Sequence, residues 1–262
     1  MDRLYDSIFV RPPGDGYARC VSLNPERDKI DVNLAKRQHR TYVSILKESG
    51  LRVFELPVLE ELSDSVFAYD PGFLGKITCV IGRFGEESRR GENRALAEDL
   101  RNYRNEIGEL NYVAEPGALE GGDILVTERT IFIGESTRSN SEGIRQFAKC
   151  LSPGTVTSIK AKTFHMLCGC SYLSNGKMLI VPELLDPKLF PGFEHILVPE
   201  NEAYAAEALY LGEGRVMIPA GFPKTSKRLR ETGYRPVEVE LSEFYKGDGG
   251  VSCLSQPVWN IY

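Results

Sequence analysis

From Asp123 onward the chain repeats one order of apolar and polar segments. Residues 123–127 and 130–134 are largely apolar and flank a short polar break, Glu128-Arg129, which predicts a β-hairpin. Residues 139 to about 151 follow, with Ile144, Phe147, Ala148 and Leu151 at helical spacing. Ser152-Pro153-Gly154 stops that helix, and 155–159 reads as a strand. The order then recurs. Residues 169–174 and 177–181 flank Asn175-Gly176, a pair suited to the positive φ angles of a type I′ turn. A helical stretch over 184–189 and a strand over 195–198 complete the unit. In the next copy, 208–211 and 215–219 flank Gly212-Glu213-Gly214, although the alanines around the first strand equally suit a helix. A helix over 225–231, stopped by Gly233, and a strand over 236–240 follow.

The same order is visible upstream. Strands are predicted at 65–69 and 77–82, a helix at about 91–101, and a strand at 110–113. A fifth copy is split between the chain ends. Its hairpin joins 250–254 to 7–10, its helix spans about 31–47 with Ala35, Tyr42, Val43 and Leu46 on one face, Gly50 closes it, and 51–56 is the last strand. Five strand–strand–helix–strand units of roughly 40 residues predict a closed ring. Pairing the two chain ends would hide sheet edges. The expectation is one α/β domain over 1–262; an ordinary α+β domain with hairpins is the competing reading.

Composition narrows the function classes. The chain has 262 residues, with 32 Lys and Arg against 37 Asp and Glu, a net charge of −5, and no long basic block. Nucleic acid is therefore not an expected partner. Apolar runs such as Met178-Leu-Ile-Val-Pro182 fall far short of the roughly 18 residues that suggest a membrane span. The opening MDRLYDSIFVRPPGDG has no basic head, apolar core and cleavage site, so a cytoplasmic location with reduced thiols is expected. The six cysteines include no C-x-x-C pair, and there are only three histidines.

Chemistry-bearing residues recur at matching places. Asp64, Glu120, His165 and Cys253 each stand near the start of a predicted first strand. In a closed ring such positions meet near the axis. Cys253 follows Gly249 and Gly250, which permit close approach, and is either a nucleophile or a small buried hydrophobe. His165 lies among Phe164, Met166 and Leu167, as a core histidine or a general acid/base. A metal reading with Cys168 and Cys170 fits no standard zinc spacing. Glu120, beside Gly121 and Gly122, is a turn carboxylate or the group that orients an imidazole. Asp64 and Asp70 share a face if the strand runs regularly through Asp70, and paired carboxylates suit the planar fork of a guanidinium. Arg89, Arg90 and Arg138 are either surface charges or grips for a carboxylate. Cys20, Cys79, Cys150 and His195 carry only packing signals, and Gly134-Glu-Ser-Thr-Arg is not a phosphate loop.

Taken together and in order, several motifs are far more specific than any one of them. They are Ser63-Asp-Ser-Val-Phe-Ala-Tyr-Asp-Pro71, Glu87-Ser-Arg-Arg-Gly-Glu92, Leu119-Glu-Gly-Gly-Asp-Ile124, Gly134-Glu-Ser-Thr-Arg-Ser-Asn140 and Asp248-Gly-Gly-Val-Ser-Cys253. Over nearly its whole length the chain resembles the dimethylarginine dimethylaminohydrolases, guanidine-modifying enzymes akin to arginine deiminases and amidinotransferases. The resemblance implies a five-bladed pseudo-symmetric α/β propeller (the pentein fold), in agreement with the period above. It implies hydrolysis of the guanidinium C–N bond of N-methylated arginines, without metal or other cofactor. Cys253 would attack the guanidinium carbon to form a thiouronium. His165 would protonate the leaving amine and then activate water, and Glu120 would orient His165 and hold guanidinium nitrogens. Asp70 would hold the others, Arg89 and Arg138 the substrate carboxylate, and Asp64 and Ser252 would line the pocket. The stretch from Cys20 to about Asp31 matches a mobile lid. Where the family reads Glu-Asp, this chain has Tyr69-Asp70, so Tyr69 either lines the pocket or, by its opposite strand parity, packs behind it. The partner implied is a small guanidine, and a homodimer is allowed. Arginine deiminase or amidinotransferase activity on another guanidine is the alternative within this chemistry; a zinc- or ligand-binding protein without catalysis is the alternative outside it.

Overall fold

The computed structural model describes residues 3–262; Met1 and Asp2, the first two residues of the opening stretch read for a secretory signal, lie outside them. In chain order the first elements are strand β1 (Tyr5–Val10), helix α1 (Val32–Glu48) and strand β2 (Arg52–Glu55). Next come β3 (Gly72–Gly75), β4 (Thr78–Ile81), α2 (Arg90–Asp99) and β5 (Glu109–Tyr112). They are followed by β6 (Ile124–Val126), β7 (Ile131–Glu135), α3 (Ser141–Lys149) and β8 (Val156–Lys160). The fourth unit holds β9 (Cys170–Tyr172), β10 (Lys177–Ile180) and β11 (Glu194–Leu197). The chain ends with β12 (Leu209–Gly212), β13 (Arg215–Pro219), α4 (Pro223–Glu231), β14 (Arg235–Val239), α5 (Ser242–Tyr245) and β15 (Ser255–Trp259).

Each unit pairs its first strand antiparallel to its second and its second parallel to its third, as in β6–β7–β8 and β12–β13–β14. The chain ends close one unit: β15 runs antiparallel to β1, with Val10 opposite Ser255, and β1 runs parallel to β2. A parallel pairing of β15 with β3 fuses this unit and the next into one six-stranded sheet. The predicted hairpins at 123–134, 169–181 and 208–219 are present, with Asn175 and Gly176 at φ 54° and 72° as the turn type demands.

Helix α1 shows how local signals become position. The Asp31 side chain accepts from the Leu34 N–H at 3.0 Å, an N-cap contributing about 1 kcal/mol. Ala35, Tyr42, Val43 and Leu46 are buried, and Gly50 leaves the helix at φ 76°. Burying a side chain such as Leu46 contributes about 1.5–3 kcal/mol. The Tyr42 hydroxyl donates to the Val251 carbonyl at 3.0 Å and stands 2.6 Å from Ser255 Oγ, so this helix fixes the turn that carries Cys253.

Three expectations are corrected. Residues 65–69 form turns, not a strand, with Phe67 N–H on the Asp64 carbonyl and Asp70 N–H on the Phe67 carbonyl. Val66, Phe67, Ala68 and Tyr69 are all buried in succession, and a fully buried apolar run carries no alternation to tell strand from loop. The parity argument that put Asp64 and Asp70 on one strand face therefore fails. Residues 250–254 are likewise not a strand: a 3-10 turn at Ser252–Leu254 precedes β15. Over 184–189 only a 3-10 turn, Pro187–Leu189, forms. Pro187 disfavours helical backbone in the residue before it, and Asp186 is extended at ψ 120°.

Candidate active site

The site is assembled from the segments that lead into the first strand of each unit. Asp70 precedes β3, Glu120 precedes β6, His165 precedes β9, Glu207 precedes β12, and Cys253 precedes β15. Backbone hydrogen bonds hold neighbouring segments in register. Tyr69 N–H donates to the Cys253 carbonyl at 3.2 Å, and Gly121 N–H donates to the Asp70 carbonyl at 2.8 Å. Met166 N–H donates to Asp123 Oδ1 at 2.8 Å. A Cβ at Gly121 would fall 1.8 Å from the Tyr69 carbonyl oxygen, and one at Gly122 would fall 2.4 Å from His165 Nδ1. These two glycines are therefore what lets three segments converge.

At the centre, His165 Nε2 stands 2.9 Å from Glu120 Oε2, and both residues are buried. One ligating atom each from Asp70, Glu120 and His165 lies within 4.8 Å of the others. Burial pulls the imidazole pKa down, but Asp70, the hydrogen bond that the ring donates to Glu120 and the charge of Asp123 outweigh it and raise it to about 9. The imidazole is thus a cation at neutral pH. Among the described residues, Asp70 Oδ1 and Glu120 Oε1 are buried and have no hydrogen-bond partner. A buried carboxylate oxygen in that condition is destabilising unless a donor meets it.

Cys253 sits half-buried in the Ser252–Leu254 turn, its thiol donating to Glu207 Oε2 at 3.4 Å. Burial, with Glu207 and Asp70 nearby, pushes the thiol pKa well above its ordinary value. Glu207 is itself raised to about 7, chiefly by burial, against the pull of Cys253 and His165. A cleft of about 250 Å³ lined by Leu23, Phe164, Cys168, Tyr204, Glu207 and Asp248 opens beside this pair.

Arg89 is buried and makes a two-pronged contact to Glu92 at 2.9 and 2.8 Å and a third bond to Asp70 Oδ2 at 3.0 Å. Its guanidinium also lies over the Phe84 ring at 4.3 Å. The protein thus supplies Arg89 with two carboxylates where the sequence led us to expect one from a substrate. Arg138 has no ion pair among the described residues; its guanidinium lies 4.1 Å over Phe164, next to His165. Asp64 is not at the strand-entry position expected of it. Both its oxygens accept from Val21 N–H, at 3.0 and 3.1 Å, and Ser63 Oγ donates to one of them. It thereby fastens the start of the 20–31 stretch, whose Leu23 N–H is held by Asp248 at 2.6 Å. The Tyr69 hydroxyl donates to the Ile124 carbonyl at 2.9 Å, and its ring lines a small, mainly apolar cavity of about 60 Å³ with Tyr5, Leu125 and Trp259. Ser252 lines that same cavity, its Oγ buried and without a partner among the described residues. Cys168 and Cys170, paired with His165 in the metal reading, do not join it; the group that does is Asp70 with Glu120.

Sequence reasoning missed Glu207 and Glu92. Glu207 stands immediately before the predicted strand 208–211, the place where the other units carry Glu120 and His165. That position was a usable signal. Glu92, three residues after Arg89, stood within a predicted helix and closed the motif Glu87-Ser-Arg-Arg-Gly-Glu92, but no role was assigned to it.

A fold of this kind, with cysteine, histidine and carboxylates on one ring of strand entries, is the pentein type of α/β propeller. The structure superimposes with TM-score 0.90 on the dimethylarginine dimethylaminohydrolase of Pseudomonas aeruginosa, solved as a Cys-to-Ser mutant complexed with citrulline, at 32% identity over 97% of this chain and 100% of that one. By sequence the chain is 37% identical to the Pseudomonas aeruginosa N(G),N(G)-dimethylarginine dimethylaminohydrolase, over 96% of this chain and 99% of the relative. It is 33% identical to the Streptomyces coelicolor enzyme of that name, over 97% of each. Residues 19–183 match the family model for eukaryotic N,N dimethylarginine dimethylhydrolase. The chain belongs to the dimethylarginine dimethylaminohydrolase family.

Proposed function

We propose that this chain hydrolyses N-methylated arginines, dimethylarginine giving citrulline and dimethylamine, through a covalent thiouronium on Cys253. The observation that carries this reading is the pair of buried, partnerless oxygens, Asp70 Oδ1 and Glu120 Oε1, beside a cationic His165. Two carboxylate oxygens that each need a donor suit the planar N–H groups of a guanidinium. The names of the relatives and the citrulline complex support the same substrate class.

In the free protein the Cys253 thiol is held neutral by burial and by neighbouring carboxylates. A bound guanidinium brings a positive charge to those carboxylates and favours the thiolate. Its sulfur attacks the guanidinium carbon, His165 gives its Nε2 or Nδ1 proton to the departing amine, and the neutral imidazole then takes a proton from the attacking water. Collapse releases the ureido product and Cys253. Glu120 keeps the imidazole in place throughout, and Arg89 keeps Asp70 aimed. Arg138, stacked on Phe164 at the mouth of the site, is the grip we assign to the substrate carboxylate. Asp64 acts through the 20–31 stretch. Tyr69 and Ser252 stand behind the reacting groups and shape the pocket wall from there. No metal or cofactor enters the scheme.

The chain is proposed to act as one propeller domain over 1–262, in the cytoplasm, in keeping with six free cysteines. No described helix is long and apolar enough to cross a membrane. A homodimer along an open outer strand such as β5, where Tyr112 is exposed, is part of the proposal. The deciding experiment is citrulline release from asymmetric dimethylarginine, monomethylarginine and arginine. The methylated substrates should have the higher kcat/KM. Preference for arginine would make the protein a deiminase instead.

A further inference from the structure

We propose that Glu207 is the general base that takes the proton from the Cys253 thiol. The Cys253 thiol points its hydrogen at Glu207 Oε2 across 3.4 Å, a direct path for transfer. The chain makes room for this contact: a Cβ on Gly250 would fall 2.2 Å from Glu207 Oε2, so the second glycine of Asp248-Gly-Gly exists where the carboxylate must pass. The first is held as well, because the Tyr204 hydroxyl donates to the Gly249 carbonyl at 2.6 Å. Glu207 also occupies the strand-entry position of its unit, where the other units carry Asp70, Glu120, His165 and Cys253.

His165 cannot fill this role in the resting protein, because it is already protonated and bonded to Glu120. Glu120 and Asp70 are engaged by His165 and Arg89. The groups around Glu207 are Cys253, His165, Asp70 and Asp248, with Cys168 and Tyr204 sharing its cleft. Of these carboxylates, Glu207 alone is hydrogen-bonded to the thiol. Burial lifts it to about 7, so it is poised to hold a proton for part of the cycle. In the step, the Cys253 S–H bond breaks and its proton forms an O–H bond on Glu207; the electron pair left on sulfur forms the C–S bond to the guanidinium carbon as the C=N π bond opens and its pair moves onto nitrogen. When the thiolate is later expelled, Glu207 returns the proton to it.

This inference rests on Cys253 being the nucleophile, so Cys253→Ser is measured beside Glu207→Gln, Glu207→Asp and Glu207→Ala on the intact chain. Glu207→Gln should lower kcat by about 10²–10⁴-fold with KM little changed, and should lose the acid limb of the kcat/KM profile. Glu207→Asp should recover part of the rate, and added formate should partly restore Glu207→Ala. If Glu207 merely repels the thiolate, removing its charge eases ionisation and kcat is unchanged or higher, which overturns the proposal. A rate loss in Glu207→Ala that formate does not relieve also overturns it. If Cys253→Ser retains turnover, the nucleophile reading falls first; if that variant is dead while Glu207→Gln runs at full rate, only the role of Glu207 falls.

Discussion

Glu120 and His165 are 45 residues apart in the chain, yet their Oε2 and Nε2 atoms meet at 2.9 Å inside the ring. The contact is strong because both partners are buried and charge-assisted hydrogen bonds gain from low local dielectric. It fixes a protonated imidazole whose charge reaches Glu207, the carboxylate that accepts from the half-buried thiol of Cys253.

The pH dependence follows from that pair. The His165 pKa is raised from 6.5 to about 9, so its contribution to folding is fully present below about 6.5 and is lost as pH rises through about 9. Turnover should fall over the same upper range, since only the imidazolium can protonate the leaving amine. His165→Gln should remove both effects and lower kcat by about 10²–10⁴-fold. Denaturant midpoints and rates measured from pH 6 to about 10 check this. A rate that holds steady through the alkaline range would count against His165 as the acid.

Cys253→Ser should abolish turnover while leaving the thermal melt unchanged, because the side chains differ by one atom and a serine alkoxide is far harder to form. Because burial and carboxylates disfavour the free thiolate, a cationic haloacetamidine should label Cys253 faster than a neutral haloacetamide of equal intrinsic reactivity. Peptide mapping of the labelled chain identifies the site, and first labelling at any of the other five cysteines would undo the assignment.

Arg89→Met should leave Asp70 and Glu92 buried without their cation. Breaking a buried pair in this way costs about 3–5 kcal/mol. Arg89→Lys should recover only part of that, since an ammonium cannot reproduce the fork on Glu92. Chemical denaturation measures both, and a loss confined to KM with stability intact would favour a direct grip on substrate.

Tyr69 donates to the Ile124 carbonyl at 2.9 Å, so Tyr69→Phe should cost about 0.5–1.5 kcal/mol of stability. The ratio of kcat/KM between dimethylarginine and arginine should not move. Tyr69→Glu would place a carboxylate among Tyr5, Leu125 and Trp259 and should destabilise the fold further. A changed ratio in a stable Glu variant would bring the phenol into the substrate pocket.

Chelation should leave the rate unchanged. Asp70, Glu120 and His165 are close enough to share an ion, but the first already binds Arg89 and the other two bind each other. Metal analysis before and after exhaustive chelation is the measurement. Stoichiometric zinc whose removal stops turnover would reverse the conclusion.

What the chain alone determined was the repeat. Hairpins at 123–134, 169–181 and 208–219 are written in local turn chemistry and apolar spacing, and helix α1 in its one apolar face and Gly50 stop, so neighbours in sequence suffice to read them. The candidate residues Cys253, His165 and Glu120 were likewise legible, because the repeat put them at matching strand entries; in the remaining unit the repeat pointed to Asp64, whereas the structure puts Asp70 at that entry. Tertiary structure decided the rest, through forces between segments distant in sequence. Residues 65–69 fold into turns because the Tyr69 backbone is claimed by Cys253 and the Asp64 side chain by Val21. Arg89 points inward because Asp70 and Glu92 together offset its desolvation. The position of Glu207 before the predicted strand 208–211 was a usable signal, but its contact with the Cys253 thiol, 46 residues away, came only when ring closure laid Gly250 against it.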